Sequence, residues 1–262
     1  MKGNTTRNET VKNLRDINLE DIYSSLGITN SLGRRLLDPL FSFPALKFAK
    51  IMERFDHLTQ MEGLRASSLW LLDRFKQKWT CEDISLIPST GPVLLLSNHP
   101  GMTDTLGLFA AIPRADLKIL AFQRPFLKAL KSFDEKLILV LEGRGLNTLK
   151  PALDHLAGGG ALLTFPAGKI EPDPGLNRWR AEKSREHWNK STGLFRRLIP
   201  GLPVFRLEIE GVNVQNLRSW PALKLWRNKE AREKVFAVLQ LLQMLYLPGK
   251  WRLNPVLRTF KL

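Results

Sequence analysis

Four short stretches of this 262-residue chain carry residue types that could do chemistry. The sharpest is Asn98-His99-Pro100-Gly101-Met102-Thr103-Asp104. A carboxylate on one imidazole nitrogen holds the tautomer and stabilises the imidazolium, so the other nitrogen can take a proton from a hydroxyl. With an ordinary pKa of about 6.5, imidazole is a usable base near neutral pH. On one straight helix His99 and Asp104 would face different ways. Across a strand–turn–helix junction, with Pro100 and Gly101 as the turn, they can meet. The spacing alone also fits a loop histidine beside a helix-capping aspartate.

The second stretch is Thr164-Phe165-Pro166-Ala167-Gly168-Lys169, in which Gly168 permits close backbone approach and Lys169 supplies a cation. The third is Glu142-Gly143-Arg144-Gly145, whose arginine either grips a phosphate or is a solvated loop side chain. The fourth, Ile199-Pro200-Gly201-Leu202-Pro203-Val204, has no ionisable group and can only shape a wall.

These stretches need a frame. Apolar runs at 93–97, 117–122, 137–141, 161–165 and 204–209 alternate with helical patterns at 105–112, 125–133 and 146–156. That order predicts an α/β fold: a mainly parallel twisted sheet flanked by helices. Ligands in such a sheet bind at the carboxyl ends of the strands, where the first three stretches fall. Phe205, Leu207 and Ile209 alternate with Arg206, Glu208 and Glu210, which predicts a strand with one wet face. Gly158-Gly159-Gly160 ends a helix before the next strand.

Upstream, Leu36, Leu37, Leu40, Phe41, Leu46, Ile51 and Phe55 recur at mixed helical spacing. Leu64, Ser68, Leu71, Leu72, Phe75 and Trp79 mark one face of a helix over 61–79. A last amphipathic helix is expected over 228–247, stopped by Pro248-Gly249, and the tail could add a strand. Residues 1–82 thus read as a helical extension and 83–262 as the α/β domain. The extension is either a cap on the core or a basic amphipathic platform for lipid headgroups.

Forty Lys and Arg against 25 Asp and Glu give a net charge of +15. Such a surface attracts nucleic acid, anionic membrane or phosphorylated substrates, or merely keeps the chain soluble. Trp179 and Trp188 sit among seven basic residues over 178–197, a mixture that suits headgroups, single-stranded nucleic acid or a solvated helix. No nucleic-acid-binding motif is visible, so no nucleic-acid partner is expected. Cys81 is the one cysteine, and the four histidines show no metal-ligand spacing. The longest charge-free stretch, 84–103, contains three prolines and cannot span a bilayer as a helix. The N-terminus lacks the apolar run of a signal peptide. The expectation is a peripheral protein on the cytoplasmic face of a membrane.

In order, the four stretches resemble the blocks of the glycerolipid (lysophosphatidic acid) acyltransferase family. Those blocks are N-H-x4-D, an Arg-bearing segment, F-P-E-G-T-R-S and a Pro-containing strand start. Asn98, His99 and Asp104 match the first. Arg144 is the best match to the second, with Arg124 competing. Phe165, Pro166 and Gly168 match the third, and Pro203-Val204 resembles the fourth. The resemblance covers about residues 88–212 and implies a glycerol-3-phosphate acyltransferase-like fold.

It further implies that His99 deprotonates an acceptor hydroxyl, which attacks an acyl thioester, with Asp104 orienting His99. The donor would be acyl-CoA or acyl-carrier protein, the acceptor a lysophospholipid, and the setting an anionic membrane surface. Asn98, Arg144, Phe165, Pro166, Gly168 and Lys169 would form the substrate site, Arg144 and Lys169 on the acceptor phosphate and amides near Gly168 on the oxyanion. No metal or cofactor is implied. The third block departs from the pattern at Ala167, Lys169, Ile170 and Glu171. Its F-P-A-G form resembles a hemolysin-like bacterial branch tied to lysolipid and ornithine-lipid acylation. The alternative is a non-catalytic lipid-binding protein on the same fold.

Overall fold

The computed structural model describes residues 2–101, 103–140, 149–186, 188–213, 229–250 and 253–262. The stretch around Arg144 lies outside the described residues. Seven strands form one sheet: β1 (Thr80–Glu82), β2 (Val93–Ser97), β3 (Lys118–Phe122), β4 (Leu137–Val140), β5 (Ala161–Thr164), β6 (Val204–Glu210) and β7 (Val256–Lys261). Their order is β1-β7-β6-β2-β5-β3-β4, and every pairing is parallel except β6 with β7. This is the α/β, mainly parallel architecture expected from the alternation of apolar and helical runs.

The central strand reads Val93-Leu94-Leu95-Leu96-Ser97 and is buried throughout. It shows no alternation because both sheet faces are covered. Leu94, Leu96 and Leu162 pack with Leu156, Trp188 and Phe195 on one face. Leu95 and Leu163 pack with Phe55, Leu71 and Leu108 on the other.

Ten helices are described: α1 (Lys2–Leu26), α2 (Ser31–Glu62), α3 (Leu64–Arg74), α4 (Asp104–Ala111), α5 (Pro125–Ala129), α6 (Lys131–Asp134), α7 (Lys150–Ala157), α8 (Arg178–Arg185), α9 (Asn189–Leu198) and α10 (Lys229–Tyr246). No helix among the described residues is long and apolar enough to cross a membrane. The second half of α2 buries Ala49, Met52 and Phe55 in the main core. Its first half leaves Leu32, Leu36, Leu40 and Phe43 63–71% exposed. The upstream helices therefore share the core of the sheet, and β1 takes its residues from just before position 83.

Three local expectations are corrected. The helix expected over 61–79 is shorter, because Gly63 (φ +88) separates α2 from α3 and Lys76 (φ +54) turns the chain away. Its apolar face is as read: Leu64, Ser68, Leu71, Leu72 and Phe75 are buried. The helix expected over 125–133 breaks at Leu130 (ψ 87), which is 1% exposed, while Asp56 accepts the Phe133 N–H (2.8 Å). The wet face of β6 is only partly wet: Arg206 and Glu210 are half-buried and Glu208 is buried. Glu208 is buried against Arg185, Glu210 pairs with Arg258 (2.7 Å) and Arg178 (3.3 Å), and the Arg206 guanidinium lies 4.5 Å from the Phe260 ring centroid. Arginines from α8 and β7 replace water around charges that the sequence pattern alone assigns to solvent.

Candidate active site

The site begins where β2 leaves the sheet. Asn98 pairs its side-chain amide with the backbone of Ile209, donating from Nδ2 (2.7 Å) and accepting at Oδ1 (2.7 Å). This side chain takes over the next rung of the β2–β6 ladder, so the main chain can turn away without leaving Ile209 unpaired. Asn98 is buried and its amide faces the sheet, not the cleft expected of a substrate-binding group. It anchors the residue that follows it.

That residue is His99. Its Nδ1 lies 2.8 Å from Oδ2 of Asp104, in the first turn of α4. Oδ2 also accepts the Gly101 N–H (2.9 Å), and Oδ1 accepts the Thr105 N–H (2.6 Å). Asp104 is fully buried, so these donors, together with the helix N-terminus, are what hold its charge. A carboxylate only accepts, so Nδ1 carries the proton, and Nε2 of the neutral ring is the acceptor. Nε2 has no protein partner among the described residues. The histidine side chain keeps 29% of its surface exposed and lines a large cleft.

Two further contacts fix the ring. The Phe165 ring lies 4.9 Å from it, tilted by 38°. Glu171, 3% exposed, accepts the His99 backbone N–H (3.3 Å) and donates its own N–H to the His99 carbonyl (2.9 Å). Burial of the imidazole works against its charged form, but Asp104 and then Glu171 outweigh it, so the His99 pKa is raised. Burial likewise pushes Glu171 up, against hydrogen bonds from Ser184, Trp188 and the His99 backbone.

Asp173 closes the same corner. Its buried carboxylate accepts four backbone N–H groups, those of Gly175 (2.9 Å), Gly211 (2.9 Å), Val212 (3.0 Å) and Asn213 (3.1 Å). The loop after β5 is thereby stapled to the end of β6. Sequence reasoning missed both Glu171 and Asp173. Two acids alternating with prolines, Glu171-Pro172-Asp173-Pro174, were the available signal.

Phe165, Pro166, Gly168 and Lys169 all line the cleft. Gly168 sits at φ +62 and donates its N–H to the Phe165 carbonyl (2.9 Å). That amide is engaged in the turn, so an oxyanion donor must be another group. Arg124, the competitor of Arg144, also lines the cleft.

The cleft measures about 2170 Å³ and has two kinds of lining side chain. One is apolar, with Phe48, Met52 and Phe55 of α2, Phe109 of α4 and Met244 of α10. The other is basic, with Arg124, Lys169, Arg180 and Lys183. No three His, Cys, Asp or Glu side chains among the described residues gather to hold a metal ion.

No family model matches this chain. No curated protein matches it. Among solved structures, the 1-acyl-sn-glycerophosphate (LPA) acyltransferase PlsC from Thermotoga maritima is similar over 98% of this chain and 83% of that one, with 11% identity and a TM-score of 0.38.

Proposed function

We propose that this protein is an O-acyltransferase that moves a fatty acyl group from an acyl thioester to the hydroxyl of a lysophospholipid-like acceptor at a membrane surface. The observation that carries the reading is the His99–Asp104 pair, 2.8 Å apart, at the carboxyl end of the central strand and in the wall of a cleft lined by apolar and basic side chains. Nε2 of His99 takes the hydroxyl proton as the acceptor oxygen attacks the thioester carbonyl. The carbon–sulfur bond then breaks, and the imidazolium returns the proton to the leaving thiolate. Asp104 keeps the ring in the required tautomer throughout.

The two kinds of lining side chain fit the two halves of such substrates. A volume of about 2170 Å³ exceeds the roughly 300–1,000 Å³ of ordinary small-molecule sites and has room for an acyl chain beside a headgroup. Phe48, Met52, Phe55 and Phe109 suit the chain. Lys169 and Arg124, with Arg144 beyond the described residues, suit the acceptor phosphate. Acyl-CoA and acyl-carrier protein both remain donors of the right chemistry.

The exposed row Leu32, Leu36, Leu40 and Phe43 on α2 supports peripheral docking on an anionic bilayer at the cytoplasmic face. Phe43 stacks on Tyr246 at 6.3 Å, and Lys47 lies 4.3 Å from the Tyr246 ring centroid, so one cation sits at the Phe43 end of the apolar row. Changing Leu36 and Leu40 to Glu together abolishes vesicle binding on this reading, while transfer to a detergent-dispersed acceptor is kept. Retained vesicle binding would remove α2 from the docking surface.

The reaction itself is tested by thiol release from acyl-CoA and acyl-carrier protein with a panel of lysolipids in anionic vesicles. Acceptor-dependent release should fall about a hundredfold or more in His99→Ala. Ala167, in place of the family's Glu, is what favours the second reading, a non-catalytic lipid binder. Absence of release with every pair, alongside equal vesicle binding by both proteins, selects it.

A further inference from the structure

We propose that Glu171 is a second positioning residue for His99, clamping both backbone polar groups of the base and placing a carboxylate beside them. The inference rests on the reading of His99 as the proton-transferring residue. Glu171 grips His99 through the pair of hydrogen bonds between the two residues' backbones and its own carboxylate: Oε2 takes the His99 N–H, and the Glu171 N–H reaches the His99 carbonyl. The other oxygen, Oε1, accepts from Ser184 Oγ (2.7 Å) and Trp188 Nε1 (3.1 Å). A carboxylate held by three donors has little freedom to swing, and the clamp is therefore stiff. Asp104 fixes the ring through Nδ1, whereas Glu171 fixes the backbone from which the ring projects.

The arrangement ties the basic excursion to the catalytic corner. Ser184 lies in α8 and Trp188 just beyond it, so a shift of this excursion reaches His99 through one side chain. Two carboxylates now hold one residue, Asp104 at its ring and Glu171 at its backbone. Among the described residues, the other charged groups lining the same cleft are Lys169 and Asp173 on the same loop, Arg180 and Lys183 on α8 and Arg124 after β3. The basic ones work against the imidazolium. Asp173 adds to the negative side, but its oxygens are engaged by four amides.

Glu171→Gln removes the charge at nearly constant shape. Its oxygen can still accept the His99 N–H, while its NH2 then faces Ser184 and Trp188 and gives up the Trp188 hydrogen bond. The imidazole signals of wild type and Glu171→Gln are titrated by NMR, with His99 assigned by its loss in His99→Gln, and thiol release is followed across pH. The His99 midpoint and the acidic limb of the rate profile should both move to lower pH in Glu171→Gln. Glu171→Ala should lower kcat about tenfold with KM held within about twofold, because the base is misplaced but the cleft is intact. An unmoved His99 midpoint in Glu171→Gln overturns the proposal, as does wild-type kcat in Glu171→Ala. The NMR midpoint decides this inference even if no acyl transfer is found, so its failure is distinguishable from failure of the acyltransferase reading.

Discussion

Both ends of the sheet are tied together by buried charge, but with opposite results. At the amino ends of β2, β3 and β5 the tie is Arg114, whose side chain is 2% exposed. Its guanidinium donates to the carbonyls of Pro88 (2.9 Å), Gly91 (2.9 Å) and Gly159 (3.1 Å), and forms a two-pronged pair with Asp116 (2.8 and 2.7 Å). All three nitrogens of the cation are engaged, and Arg114 does not line the cleft. At the carboxyl ends of β2, β5 and β6 the ties are Asn98, Asp104, Glu171 and Asp173, which mostly accept backbone N–H groups. There, among the described residues, the network stops one bond short, at Nε2 of His99. Among the described residues the two polar networks thus differ in completeness, and the proposed chemistry belongs to the incomplete one.

Breaking each network should have a different signature. The largest effect is expected at Asp104→Asn, which presents a donor where the ring needs an acceptor. Its kcat should fall by about 10³-fold in the thiol-release assay. A loss below about tenfold would make the 2.8 Å contact structural only. Arg114→Ala should cost about 3 kcal/mol in urea unfolding, since it orphans buried carbonyls, with kcat of the folded protein unchanged. A large loss of kcat there would mean that the two ends are coupled.

Smaller effects sharpen the contrast. Asp173→Asn turns an NH2 towards backbone donors, and should cost about 2 kcal/mol with less than a tenfold loss of kcat. Smallest is the pH dependence. His99 must be neutral to accept a proton, and its pKa is raised by Asp104 and Glu171 against burial. The acidic limb of kcat/KM should therefore lie above the ordinary imidazole value of about 6.5. The sign for stability follows from the same shift. Folded His99 binds its proton more tightly than the unfolded chain does. Its contribution is full below the unfolded value and is lost as pH rises through the higher folded one. A limb at or below the ordinary value would remove both carboxylates from the electrostatics of the base.

Much of the frame was legible because it is local. The runs at 93–97 and 161–165 are strands because uninterrupted β-branched and leucine-rich segments of that length suit a sheet covered on both faces. His99 and Asp104 could be paired in advance because the turn between them spans few residues and contains Pro100 and Gly101. Asn98 was misplaced on the substrate because its partner, Ile209, lies 111 residues away. Glu171 was passed over for the same reason, standing 72 residues from His99. The wet face expected for β6 is only partly wet because Arg185 and Arg258 approach from other elements.

By itself, then, the sequence determined the α/β alternation and the strand-end placement of the motifs, and it offered the His99–Asp104 pairing as one of two readings. Each depends on residues within a few positions of one another, where backbone sterics and apolar periodicity act directly. Only the tertiary structure decided which buried acids serve the histidine, which amides are already engaged and which apolar and basic side chains line one cleft. Those outcomes depend on which distant loops the closed sheet brings within about 3 Å, the reach of a hydrogen bond, and no local pattern encodes that distance.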